Sequence, residues 1–218
     1  MIDKIRSIMD QHEPDAITKQ RKYAVLLPLV RVNEGVHVLY EVRSQLVSQP
    51  GETSFPGGAV EAGETFMEAA LRETEEELGI DRNQIKILGE MDYIVKYNHI
   101  IKCFVGWLPD IDVDQLKPNV EVEAVFTILL DYFLTNEPKY YETRMKMEKD
   151  NSFPFELISG GQKYKWRSIT QQIPFYHLTD HYLWGYTAHL THRFTQLIKN
   201  EVKVEDYFKY EDDKNEQQ

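Results

Sequence analysis

The stretch from Gly58 to Ile80, GAVEAGETFMEAALRETEEELGI, constrains this chain more than any other. Most of it has to be a helix. Thr65 is a good N-cap and Glu68, three residues on, completes a capping box. Gly79 after Leu78 is a natural stop, because glycine takes the left-handed conformation that ends a helix. Met67, Leu71, Thr74 and Leu78 form one stripe of that helix. Glu73, Glu76 and Glu77 fall on another face, within an arc of roughly 100°.

That second face carries a physical problem. Like charges three and four residues apart repel. Near a helix C-terminus the macrodipole, already negative there, adds to the repulsion. The cluster therefore either stands in water as a solvated acidic face or is neutralised by a cation. Hard divalent ions such as Mg²⁺ take carboxylate oxygens and keep waters for substrate phosphates.

The full spacing goes further than the charge run. Gly58, Glu64, Arg72-Glu73, Glu76-Glu77, Gly79 and Ile80 fit G-x5-E-x7-R-E-U-x-E-E-x-G-U, where U is a bulky aliphatic residue. Thr74, β-branched but polar, stands at the first U and is the one soft departure. The stretch resembles the signature box of the Nudix hydrolases. That resemblance implies an α/β fold, the Nudix α/β/α sandwich with a mixed central sheet and a loop–helix–loop catalytic box. It also implies bound Mg²⁺ or Mn²⁺ and hydrolysis of a nucleoside diphosphate linked to another group.

Charge and cysteine content narrow the partners. A net charge of −11 over 218 residues argues against nucleic acid held through its backbone, which needs a basic footprint. A small anionic substrate is compatible, since a metal inverts the local electrostatics. No apolar run approaches the ~20 residues of a membrane span. The N-terminus MIDKIRSIMDQHEPD lacks the apolar core of a signal peptide. With Cys103 alone no internal disulfide can form, so the chain reads as cytoplasmic and Cys103 as a buried, inert thiol.

Along the chain, residues 1–20 read as a helical extension, 21–200 as the hydrolase domain and 201–218 as a frayed acidic tail. Tyr23 to Val32 and Val36 to Val42 read as a hairpin around Asn33-Glu34-Gly35. Ile85 to Val95 and Ile100 to Leu108 read as strands around Tyr97-Asn98. Glu121 to Leu130 reads as a strand running into a short helix over 131–134, and Lys139 to Met147 as a further strand. A hairpin is expected over 154–167, with Lys163, Lys165 and Arg167 on one face, either protecting an edge or holding a phosphate. His181 to Lys199 reads as one long amphipathic helix. Its histidines, with His177, make a weak zinc set, because no cysteine or carboxylate completes it.

The loop before the box resembles one subgroup more closely, the coenzyme A pyrophosphatase-like Nudix proteins. It carries Arg43-Ser44, Leu46, Gly51 and Phe55-Pro56-Gly57-Gly58. It departs from the subgroup in three ways. The stretch from Arg43 to Gly51 is one residue short, Gln49 stands where a His is expected, and Thr53 replaces Val. Leu183 to Ala188 resembles the subgroup's closing helix. By resemblance, Glu73, Glu76, Glu77 and the Gly57 carbonyl hold the metal, and Arg72 orients Glu64 or another carboxylate. Glu64 braces the loop, and Arg43, Ser44 and Phe55 meet the substrate. Glu73 or a later glutamate, Glu121 or Glu123, takes the proton; both later residues also read simply as exposed strand carboxylates. The implied reaction cleaves coenzyme A or a derivative to 4′-phosphopantetheine and adenosine 3′,5′-bisphosphate. ADP-ribose, dinucleotides and modified nucleotides are alternative substrates, and a ligand-sensing module that does not hydrolyse is a different class. A homodimer is the assembly the resemblance suggests.

Overall fold

A computed structural model describes residues 1–146, 148, 150 and 152–199, and the backbone of 208–212. In chain order the regular elements are α1 (Ile2–Gln11), β1 (Arg21–Val32), β2 (Gly35–Arg43), β3 (Thr53–Ser54), β4 (Gly57–Ala59) and α2 (Phe66–Leu78). Then come β5 (Lys86–Glu90), β6 (Ile94–Lys96), β7 (His99–Leu108), β8 (Val122–Leu129), α3 (Leu130–Thr135) and β9 (Lys139–Met145). Last are β10 (Arg167–His177), β11 (Tyr182–Trp184), α4 (Gly185–Ile198) and β12 (Phe208–Asp212).

The main sheet is mixed. β1 runs parallel to β7, from Arg21 opposite His99 to Val30 opposite Leu108, while its other edge is shared by two antiparallel partners. Tyr23 to Val25 pair with β4, and Leu29 to Val32 pair with β2. β8 lies on the far side of β2, from His37 to Arg43.

Both faces of this sheet are covered, so β1 reads as a near-continuous apolar run whose side chains alternate between two cores. Ala24, Leu26 and Val30 pack with Ala69, Ala70 and Leu78 of α2. Leu27 and Leu29 pack on the opposite side with Ala188, Leu190 and Phe194 of α4. The result is the expected helix–sheet–helix sandwich. Parity carries into β2: Leu39 belongs to the α2 side and Val38 and Tyr40 to the other. Glu41, two residues after Leu39, therefore faces α2.

A second sheet is centred on β10, paired with β9 along Ile169 to Phe175, with β11 at Phe175 to His177 and with β12 at Arg167 to Gln171. Here several expectations are corrected. The 154–167 hairpin does not form; residues 155–157 and 161–163 are single 3₁₀ turns, with Gly160 and Gly161 both at positive φ. Lys163 and Lys165 are exposed outside any strand. Arg167 opens β10, an interior strand, so the three basic residues share no edge. The closing helix begins at Gly185, four residues later than expected. Tyr182 to Trp184 form a strand with only Leu183 buried, and Gly185 has φ 63°, which a helix interior does not accept. The frayed tail is corrected at 208–212, where the backbone pairs with β10; 201–207 and 213–218 lie outside the described residues.

α1 buries no residue. Cys103 is fully buried, and burial pushes its thiol well above the usual range. Among the described residues no helix is long and apolar enough to cross a membrane.

Candidate active site

The site is assembled on α2. The helix starts at the expected capping box, Glu68 N–H donating to Thr65 Oγ1 at 3.2 Å and Thr65 N–H to Glu68 Oε2 at 2.8 Å. It stops at Gly79 in the left-handed conformation. Its buried face is Ala69, Ala70, Thr74, Glu77 and Leu78, whereas Met67 is 42% exposed. The apolar stripe is thus rotated from the expected one, and the glutamate face turns partly inward. Thr74 tolerates its fully buried place because its hydroxyl donates to the Ala70 carbonyl at 2.6 Å.

Arg72 is the hub of the visible charge network. It meets Glu64 through Nε at 2.9 Å and Nη2 at 3.1 Å, Glu73 through Nη1 at 2.9 Å, and the Ala59 carbonyl through Nη2 at 3.1 Å. Its Nη1 stands 3.5 Å from Glu76 Oε2, whose side chain is 55% exposed. The hydrogen bonds from Arg72 hold the Glu64 carboxyl below the usual carboxylate range. Burial raises Glu73, with Arg72 pulling the other way.

The FPGG turn lies against this helix because β4 is stitched to β1, and the Leu26 N–H donates to the Pro56 carbonyl at 2.9 Å. Gly57 N–H donates to Glu77 Oε2 at 2.7 Å. Gly58 has no room for a side chain, since an added Cβ would stand 2.3 Å from Glu73 Oε1. Phe55 is in the core, stacked on Tyr40 at 5.1 Å, and also contributes to a cavity wall.

Glu77 is only 4% exposed. Burial, then the charge of Glu41, pushes its carboxyl up to about 9, eased by the Gly57 N–H. Glu41 itself is 1% exposed. Burial pushes it up to about 7, eased by Ser54, whose hydroxyl donates to Glu41 Oε1 at 2.9 Å. Its other oxygen has no hydrogen-bond partner.

Glu41 did not emerge from the sequence as a site residue; the available signal was a carboxylate at an inward position of an apolar strand. Glu121 is exposed, and its charge is felt by Glu41 and Glu73. Glu123, two residues further on, is exposed in β8. Ser44 donates to the Val120 carbonyl at 2.7 Å and accepts from the Leu46 N–H at 3.2 Å, which makes it a clamp of the loop.

Glu73, Glu77 and Glu41 supply the hard oxygen donors a divalent cation takes, and the orphaned Glu41 oxygen is the kind of atom such an ion satisfies. The donors therefore fit a cation. Among the described residues no group of three is already arranged to hold one. Beside Gly57 and Gly58 opens a cavity of about 630 Å³, lined by Arg43, Gln49, Glu52, Lys96, Trp184 and Tyr186 among others. Arg43 is aimed by its Nε–H donating to the Ser48 carbonyl at 2.7 Å. Lys96 donates to Gln171 at 2.8 Å and lies 5.2 Å from the Tyr186 ring centre. Such cationic walls suit an anionic ligand. A second cavity of about 610 Å³ is lined by aromatic residues of β10 and β11 and shares Glu52 and Trp184 with the first. Trp184 Nε1–H donates to Glu52 Oε2 at 2.6 Å where they meet.

Comparison with known proteins gives the family of the chain. The model of the NUDIX domain matches residues 20–138. "Nudix hydrolase 3" of Caenorhabditis elegans is 31% identical over 192 residues, covering 84% of this chain and 75% of that protein. "Peroxisomal coenzyme A diphosphatase NUDT7" of Mus musculus is 31% identical over 159 residues, covering 70% and 66%. A solved structure, a MutT/nudix family protein from Enterococcus faecalis, superposes with a TM-score of 0.50 at 14% identity over 91% of this chain and 70% of that one, a likeness of fold.

Proposed function

The chain belongs to the Nudix hydrolase family, and from that premise we propose that it cleaves the diphosphate of coenzyme A or its derivatives. The products are 4′-phosphopantetheine and adenosine 3′,5′-bisphosphate. The observation that carries the reading is the juxtaposition of the complete Arg72–Glu77 acidic box with a cation-lined cavity opening at Gly57 and Gly58. The relatives support the choice of substrate, since one at 31% identity is named a coenzyme A diphosphatase.

Phosphoryl transfer asks a protein for positioning and charge neutralisation more than for covalent chemistry. Glu73, Glu76 and Glu77, with the Gly57 backbone, would hold Mg²⁺ or Mn²⁺, which when bound neutralises phosphate charge and acidifies a water. The chain's own residues do the rest. Arg72 fixes Glu73 and ties the 59–64 loop to the helix through Ala59 and Glu64. Glu73, held by Arg72 against the Gly58 turn, is the carboxylate we assign to accept the proton as water attacks phosphorus and the bridging P–O bond breaks. Arg43 and Lys96 draw the anionic substrate into the cavity. We propose the cytoplasm as the compartment of the reaction; the single buried thiol fits any reducing compartment.

The test is turnover of coenzyme A, acetyl-coenzyme A, ADP-ribose, NADH, a dinucleoside polyphosphate and an oxidised dGTP, each with Mg²⁺, Mn²⁺ or EDTA. Cation-dependent release of adenosine 3′,5′-bisphosphate from coenzyme A is expected. Cleavage of a different member alone would overturn the substrate, and no cleavage of any, with cation bound, would favour a sensing module.

A further inference from the structure

β2 holds one acidic residue whose burial is only partly offset by its neighbours. Glu41 sits between β3 and β8, opposite Ser54 on one side and Val125 on the other, so its backbone is fixed from both edges. The register of β2 against β8 slips just beyond it, between Val42 and Arg43. Bulges of this kind aim side chains beside active sites. Its parity turns the side chain toward α2, where it is the largest charge acting on Glu77. One oxygen is braced by Ser54 and the other is buried without a hydrogen-bond partner.

A neutral structural role does not account for this. A carboxyl that merely held Ser54 would leave its second oxygen unsatisfied, and buried polar atoms are almost always paired. Two buried carboxyls facing each other are costly unless something positive stands with them. Arg43 is the basic residue whose field eases both, but its Nε–H is spent on the Ser48 carbonyl at 2.7 Å.

We propose that Glu41 is a further carboxylate of the cation site, holding the divalent ion together with Glu77 on the sheet side of helix α2. This rests on the hydrolase reading above and adds to the box a ligand from outside it. Ser54 keeps one oxygen occupied so that the other is presented to the ion. The box alone would hold the ion from the helix; Glu41 would add a ligand from the sheet.

The experiment is Mn²⁺ binding to the full chain, followed by the loss of the free-ion electron paramagnetic resonance signal, with the thermal midpoint recorded with and without Mg²⁺. For Glu41→Gln, affinity for Mn²⁺ falls about tenfold or more, and the Mg²⁺-induced rise in midpoint shrinks. Unchanged Mn²⁺ affinity in the folded variant overturns the proposal. Should Glu41→Gln fail to fold, Glu41→Asp keeps the charge but shortens the reach; weakened Mn²⁺ binding supports the proposal and parental affinity overturns it. Glu77→Gln separates the two readings. Loss of Mn²⁺ binding in Glu77→Gln but not in Glu41→Gln sinks this inference alone. A parent chain that binds no Mn²⁺ and cleaves no member of the panel sinks the hydrolase reading beneath it.

Discussion

Arg72 grips both oxygens of Glu64, Nε to Oε1 at 2.9 Å and Nη2 to Oε2 at 3.1 Å, across eight residues of sequence. The fork matters because a lysine supplies charge without the paired geometry. Arg72→Lys is expected to keep the fold and lower kcat by roughly 10- to 100-fold, through a looser Glu73 and 59–64 loop. The ion pair also has a pH signature. Glu64 is held below its ordinary value, so its stabilisation is full above about pH 4.5 and is lost as pH falls through its lowered folded value. Urea midpoints of the parent and Glu64→Gln should therefore differ at pH 7 and draw together as the pH falls below the lowered value of Glu64.

The two glycines of the turn should fail in different ways. A Cβ on Gly57 would stand 2.3 Å from the Ala24 carbonyl and 2.6 Å from Val25 Cα, at φ 155°. Both obstacles are backbone of the central strand, so Gly57→Ala should cost about 2–4 kcal/mol of stability. A Cβ on Gly58 meets the carboxylate end of the Glu73 side chain instead of backbone. Gly58→Ala should stay within about 1 kcal/mol of the parent in a melt, while turnover drops at least about 100-fold because the Glu73 carboxylate is displaced.

Glu77 gives the opposite pH slope to Glu64. Its folded value is raised, so between about pH 4.5 and 9 the folded chain holds more protons than the unfolded one. Stability of the cation-free protein therefore falls as pH rises through that window. Glu77→Gln should flatten the fall and melt roughly 3–6 °C above the parent at pH 9 without cation. Its turnover should be lower by orders of magnitude. A variant that melts below the parent at pH 9 would contradict this account of the buried charge.

Trp184 and Glu52 meet where the two cavities join. Trp184→Phe keeps the ring that stacks on Phe175 at 5.4 Å but removes the indole donor. It should raise KM for coenzyme A several-fold with little change in kcat, since the pair shapes the binding wall and lies away from the box. Equal losses in kcat and kcat/KM would place Trp184 in the chemical step instead.

What could be read in advance was local. The Thr65–Glu68 cap and the Gly79 stop depend on residues within one turn, and both stand where the sequence puts them. The inward turn of Glu77 and the role of Glu41 depend on β2 meeting a helix some thirty residues later, which no window of sequence contains. β10 escaped notice for another reason. Its buried positions include Ser168, Thr170 and Gln171, so the strand lacks the apolar alternation that marks a half-buried strand. Tyr182 to Trp184 were too few to separate a strand's period from a helix's, and only the backbone of Gly185 decides.

The loop between β2 and β3 is closed at its neck: Arg43 N–H donates to the Glu52 carbonyl at 3.0 Å, and Gly51 N–H to the Arg43 carbonyl at 2.8 Å. Residues 45 to 50 lie outside that clasp, while Ser44 is tied back to the Val120 and Glu121 carbonyls. A change of length within that loop is therefore expected to leave Glu41 and the FPGG turn in place, because the two bonds at the neck hold β2 to the start of β3 whatever lies between them.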